Sequence, residues 1–169
     1  MLKKAFGLNQ VTAVSKAMSL QKIKNIRLAE YNELALISQL MCELFHTKMQ
    51  ASYSKEGRKN FEAQIQLAAL QKRFLEENLF YIYIDDDDIK GVLELERSCH
   101  IAFLFVKDER KGVGKNLCTI ALENSTEEVC TVGVFEGAIG FYEKLGFIEV
   151  LEKKIFNAME FTLMAKKTR

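Results

Sequence analysis

The chain has 169 residues, enough for one domain with a single sizeable core and short for two. Lysine plus arginine total 24 against 23 aspartate plus glutamate, so a net charge of +1 provides no general attraction to nucleic acid or to an anionic membrane. The four cysteines, Cys42, Cys99, Cys118 and Cys130, are widely spaced with no Cys-x-x-Cys pair, which argues against a metal site and for reduced thiols in a cytoplasmic protein.

Residues 1–20 contain no acid, but Asn9, Gln10, Thr12, Ser15 and Lys16 interrupt any apolar run, so a secretion signal is not expected and the stretch reads as an N-terminal extension. No run reaches the roughly 18 apolar residues of a membrane span. Proline is absent and no repeat is visible, so residues 21–169 are expected to form one domain.

In chain order, residues 23–29 suit a short strand, and Leu34, Ile37, Leu40, Met41 and Leu44 recur at helical spacing. A polar join, residues 46–57, follows and is a candidate substrate loop, with His46 and Tyr53 as possible lining. Phe61, Ile65, Ala68, Ala69 and Leu75 mark a second helix. Residues 79–84 and 89–96 form a hairpin across the turn Asp85 to Asp88, which lacks the spaced ligands of a calcium loop. Residues 99–106 supply a strand, 114–123 a helix, 129–134 a strand and 138–144 a short helix; strands near 147–151 and 159–165 finish the chain. This order predicts an α/β (α+β) fold, a mixed sheet with helices on both faces. Glu94 and Glu96 share one face of a strand, where they read as a solvated sheet surface or, alternatively, as carboxylates holding a cationic amine.

From His100 to Leu117 a strand runs through a basic glycine loop into a helix. A helix start leaves about four backbone N–H groups without partners and carries a partial positive charge, so anions settle there. Gly112 and Gly114 allow close approach of a pyrophosphate, and Arg110, Lys111 and Lys115 add positive charge. A P-loop is excluded because Glu109 and Asn116 occupy positions that need Gly and Ser or Thr, and a dinucleotide fingerprint fails at Leu117.

The second informative segment is Ala138-Ile-Gly-Phe141-Tyr142-Glu-Lys144-Leu-Gly146-Phe147, a helix closed by a glycine cap. Together the two segments resemble the GNAT superfamily of acyl-CoA-dependent N-acyltransferases, with its Gln/Arg-x-x-Gly-x-Gly/Ala loop and its Ala-x-x-Phe-Tyr-x-Lys-x-Gly-Phe helix. The resemblance extends over residues 23–165 and implies a mostly antiparallel twisted sheet of about seven strands. It implies that Arg110, Lys111, Gly112, Val113, Gly114 and Lys115 bind the coenzyme A pyrophosphate, and that Leu104, Phe105 and Val106 pair with the pantetheine arm. It implies acetyl-CoA as co-substrate with no metal. Glu109 stands where the family has Gln or Arg, and a loop two residues shorter would let Arg110 take the basic role.

Acylation of an amine needs a neutral nucleophile, a polarised thioester carbonyl and a proton for the leaving thiolate. Tyr142 matches the family tyrosine that donates this proton. His100 sits where relatives often carry Glu, and its ordinary pKa of about 6.5 suits accepting a proton through water. The expected activity is N-acetyl transfer from acetyl-CoA to a primary amine, on a small molecule or peptide, with a homodimer possible. The alternatives are a non-catalytic acyl-CoA-binding or regulatory module of the same fold, and an interaction domain without cofactor.

Overall fold

The computed structural model describes residues 25–109, 111–156 and 158–168, the Glu152 side chain excepted; the expected extension at 1–20 and the first residues of the opening strand lie outside them. Strand β1 (Ile26–Leu28) leads through a turn into helix α1 (Leu34–Leu44), which widens into a π-helical turn at Phe45–Met49. Helices α2 (Lys55–Ile65) and α3 (Leu67–Leu75) follow, then strands β2 (Leu79–Asp85), β3 (Asp88–Leu95) and β4 (His100–Val106). Helix α4 (Val113–Asn124), strand β5 (Val129–Val134), helix α5 (Ile139–Lys144) and the hairpin β6 (Ile148–Phe156) and β7 (Met159–Lys167) complete the described chain.

The strands form one seven-stranded sheet in the order β1-β2-β3-β4-β5-β7-β6. All pairs are antiparallel except β4 with β5, which run parallel. Period-two alternation sends Phe80, Ile82, Val92 and Phe105 into one core with α1, α2 and α3, while Tyr81, Leu93, Ile101 and Val132 join the core under α4 and α5. Each such side chain, fully buried, contributes about 1.5–3 kcal/mol. The expected mixed, mostly antiparallel sheet with helices on both faces is the observed one. Among the described residues no helix is long and apolar enough to cross a membrane.

Two sequence expectations are corrected. The single second helix is two helices, because Gln66 adopts an extended backbone with ψ 149°. The break is held by tertiary bonds: Ser38 Oγ donates to the Ile65 carbonyl at 2.8 Å and Arg73 Nη2 donates to the Gln64 carbonyl at 3.0 Å. Glu94 is not on a solvated face. It is fully buried on β3 beneath α3, where Arg73 donates to its two oxygens at 2.6 and 3.0 Å and Asn78 Nδ2 adds a bond of 2.7 Å. The same guanidinium lies over the Phe103 ring, 5.2 Å from its centroid. The aspartate turn is a hairpin tip, with Asp86 and Asp87 both at positive φ (50° and 61°), as a two-residue primed turn requires.

Gly112 caps the start of α4 in the left-handed region, φ 78°, where a side chain is disfavoured although nothing crowds it. Gly57, in the first turn of α2, is required for another reason: a Cβ there would stand 2.7 Å from the Ala158 carbonyl oxygen at the β6–β7 turn. Ser54 caps the same helix, accepting from the Gly57 N–H at 3.0 Å.

Two stability predictions follow from this geometry. Glu94→Ala leaves a half-buried Arg73 without its partner and is expected to cost about 3–5 kcal/mol in urea unfolding, whereas replacing Glu94 and Arg73 together by Leu and Met costs much less. Gly112→Ala is expected to cost about 1–2 kcal/mol through backbone strain, with Gly112→Asn milder.

Candidate active site

Strands β4 and β5 are paired only at His100↔Thr131 and Ile101↔Val132. Beyond these rungs they diverge, β5 turning to its partner β7 along Val129–Val134 while β4 stays with β3. The closed end of the opening is fastened by the Thr131 N–H donating to the Cys99 carbonyl at 2.9 Å and by a 2.8 Å hydrogen bond between His100 Nδ1 and Thr131 Oγ1. The open end holds a cavity of about 1050 Å³. One wall is Leu104–Val106 of β4; the opposite wall is the end of β5 and its continuation, Val134–Ala138.

A further side of the cavity is the glycine loop, Gly112–Lys115. Within α4 the Asn116 N–H is bonded back to the Gly112 carbonyl at 2.9 Å, so the N–H groups of Val113, Gly114 and Lys115 precede the helical ladder and are open to an anion. The Phe141 ring packs against Gly114, where a Cβ would lie 3.3 Å from it, and so sets α5 against the start of α4. The apolar strand wall, the unpaired β4 edge and the loop N–H groups fit a long ligand with an extended amide arm and a phosphate end. Among the described residues no cluster of His, Cys, Asp and Glu is placed to hold a metal ion.

Of the residues singled out by sequence, Leu104, Phe105, Val106, Gly112, Val113, Gly114 and Lys115 line this cavity together. Lys111 stands beside it, paired with Asp108 at 3.2 Å. Arg110 lies outside the described residues. Tyr142 does not line the cavity; it is buried in the α4–α5 core against Phe141 and Phe147, and burial pushes its phenol well above the ordinary value of 10. His100 sits at the closed end, four residues before the cavity wall begins, and burial lowers its imidazole below the usual 6.5, with Glu96 opposing.

Of the polar join at residues 46–57, expected from sequence as a substrate loop lined by His46 and Tyr53, Tyr53 lines the cavity and His46 does not. The rest of the wall comes from the join after α1 and from β7: Met49, Ser52, Tyr53, Phe161 and Thr162 line it. His46 is turned outward instead, 3.7 Å from Glu62. Tyr53 also borders a smaller cavity of about 260 Å³ beside the β6–β7 turn. Its ring stacks edge-on to Phe45 and Phe135, and its hydroxyl is buried with no hydrogen-bond partner, a costly arrangement in a finished core and a common one at a binding site. At the rim Lys153 lies between Glu136 (3.4 Å) and Glu160 (3.0 Å), leaving a net negative charge. Glu109, the acid just before the glycine loop, is met by Lys48 Nζ at 3.1 Å. No residue spacing announces any of these contacts, because the partners are brought together by the fold.

Comparison with known proteins agrees with this geometry. The family model described as an acetyltransferase (GNAT) domain matches residues 49–168. Among solved structures, a GCN5-related N-acetyltransferase from Rhodopseudomonas palustris superposes with a TM-score of 0.73 at 20% identity, covering 84% of this chain and 94% of that one. The PaiA N-acetyltransferase from Thermoplasma acidophilum, solved in complex with coenzyme A, gives 0.68 at 19% identity over 84% and 97%. YjaB from Escherichia coli, in its apo form, gives 0.60 at 24% identity over 83% and 93%. With the splayed strands, the glycine loop at a helix start and a family match over most of its length, the chain belongs to the GNAT acetyltransferase family.

Proposed function

We propose that this acetyltransferase moves the acetyl group of acetyl-CoA onto a primary amine by direct attack. The observation that carries the reading is the opening between β4 and β5, where an unpaired strand edge leads to the free N–H groups of the α4 start. An extended pantetheine arm supplies the pairing that β4 lacks, and the pyrophosphate ends on the helix N–H groups. Gly112, Val113, Gly114 and Lys115 would hold the phosphates, and Leu104, Phe105 and Val106 the arm.

The acceptor is read as an amine because the rim of Glu136 and Glu160 around Lys153 favours a cation, and because an aromatic wall with Tyr53 and Phe135 accommodates its apolar body. In the reaction the neutral amine nitrogen attacks the thioester carbonyl carbon. A C–N bond forms, the C–S bond breaks, the nitrogen gives up one proton to water and the thiolate takes one up. Tyr142 is kept as the donor of that second proton on its place in the motif: it lies behind Phe141, which lines the cavity, and does not itself reach the cavity, so the transfer requires α5 to move, while its raised pKa keeps the phenol protonated. His100 is left without contact to the reacting atoms in this reading, fastening the closed end of the opening through Thr131.

The test is release of free thiol from acetyl-CoA in the presence of polyamines, amino acid amides and peptides. Amine-dependent release supports the proposal; binding of acetyl-CoA with no turnover on any amine would favour a cofactor-binding module instead. Tyr142→Phe is expected to lower kcat by about a hundredfold or more while acetyl-CoA affinity is kept. Because burial raises the phenol above 10, the donor is not lost on the alkaline side, and kcat is expected to show no fall as pH rises towards 10.

A further inference from the structure

Glu109 stands at the start of the anion cradle, where its carboxylate opposes any phosphate, and Lys111 is engaged with Asp108 at 3.2 Å. The cradle therefore has less positive charge at its disposal than its sequence suggests. Compensation comes from far along the chain. Lys48, in the π-helical turn at the end of α1, extends its ammonium to the cofactor loop, donating to the Lys107 carbonyl at 2.9 Å and to Glu109 Oε1 at 3.1 Å. An ammonium has three N–H donors, so two contacts leave one. The side chain lines the same cavity as Gly112–Lys115, and with 38% of it exposed it is reachable from that space.

We propose that Lys48 is a cofactor-binding residue: from the α1–α2 join it cancels the Glu109 carboxylate and gives its remaining N–H to a phosphate of coenzyme A. The inference rests on the acyl-CoA reading of the site. It has a structural corollary, since Lys48 and Tyr53 lie on one short segment with four residues between them: cofactor binding and the acceptor wall are then joined directly through the chain.

The experiment is calorimetric titration of the full-length protein with coenzyme A and with pantetheine, which lacks the phosphates. Lys48→Met, which keeps the aliphatic stem, is expected to weaken coenzyme A binding by about tenfold, as loss of a charge-assisted hydrogen bond does. Pantetheine binding and the melting temperature are expected to stay unchanged. Lys48→Arg is expected to restore most of the affinity. Adding Glu109→Gln to Lys48→Met is expected to recover part of the loss, since the unopposed carboxylate is gone. Coenzyme A affinity unchanged in Lys48→Met would overturn the proposal, and so would equal weakening of coenzyme A and pantetheine, which marks a merely structural role. Failure of the unmutated protein to bind coenzyme A at all would overturn the acyl-CoA reading together with it.

Discussion

Two rungs of parallel pairing, and no more, join β4 to β5, and the rest of the molecule is arranged around that shortage. Neighbouring strands in a twisted sheet stay together only while their backbone groups bond each other. Here β5 is paired along its whole length with β7, and β4 likewise with β3, so each strand is satisfied on its far side and free to part on the near side. The gap carries a real cost, because unpaired N–H and C=O groups of β4 face it. An extended ligand that bonds to that edge recovers the cost, which makes the opening a binding slot rather than a defect.

The slot is useful only if its two halves keep their spacing, and different forces hold each half. On the β4 side a helical layer is fastened to the sheet by the Arg73–Glu94 pair, with Asn78 taking up further acceptor capacity on the carboxylate. A buried ion pair of this kind contributes little net stability compared with apolar packing, but breaking it by removing one partner is costly, because the other charge is left buried and unpaired. On the β5 side the fastening is apolar: Tyr142 and Phe147 lock α5 into the core beneath Val132 and Val134.

Most of the scaffold was legible in the residues. Period-two runs located the strands, helical spacing located α1, and the glycine-to-lysine loop located the start of α4, because helix-end physics is local. What the residues concealed depends on partners distant in sequence. Gln66 is neither glycine nor proline, and the chain bends there because Ser38 and Arg73 take the carbonyls that would have continued the helix. Glu94 reads as a surface residue by alternation; only the position of α3, twenty residues earlier, turns it inward. Tyr53 lies in a stretch without periodicity, so nothing short of the folded join reveals that its ring meets Phe135. The cavity wall around Tyr53 is thus the part least visible to pattern reading, being assembled from the end of one helix, a loop and a distant hairpin.

The close approach of Gly57 to the Ala158 carbonyl bears on how such a site can change. Helix α2 and the β6–β7 turn already stand at the limit of van der Waals contact there, so any added carbon must push one body away from the other. The smaller cavity beside Tyr53 shares that turn through Ala158 and Met159. Any movement of that turn therefore also moves a wall of the cavity. Trimming Ile155 or Met159 would enlarge that cavity with the Gly57–Ala158 approach untouched, whereas any side chain at position 57 would displace the turn that carries Ala158 and Met159.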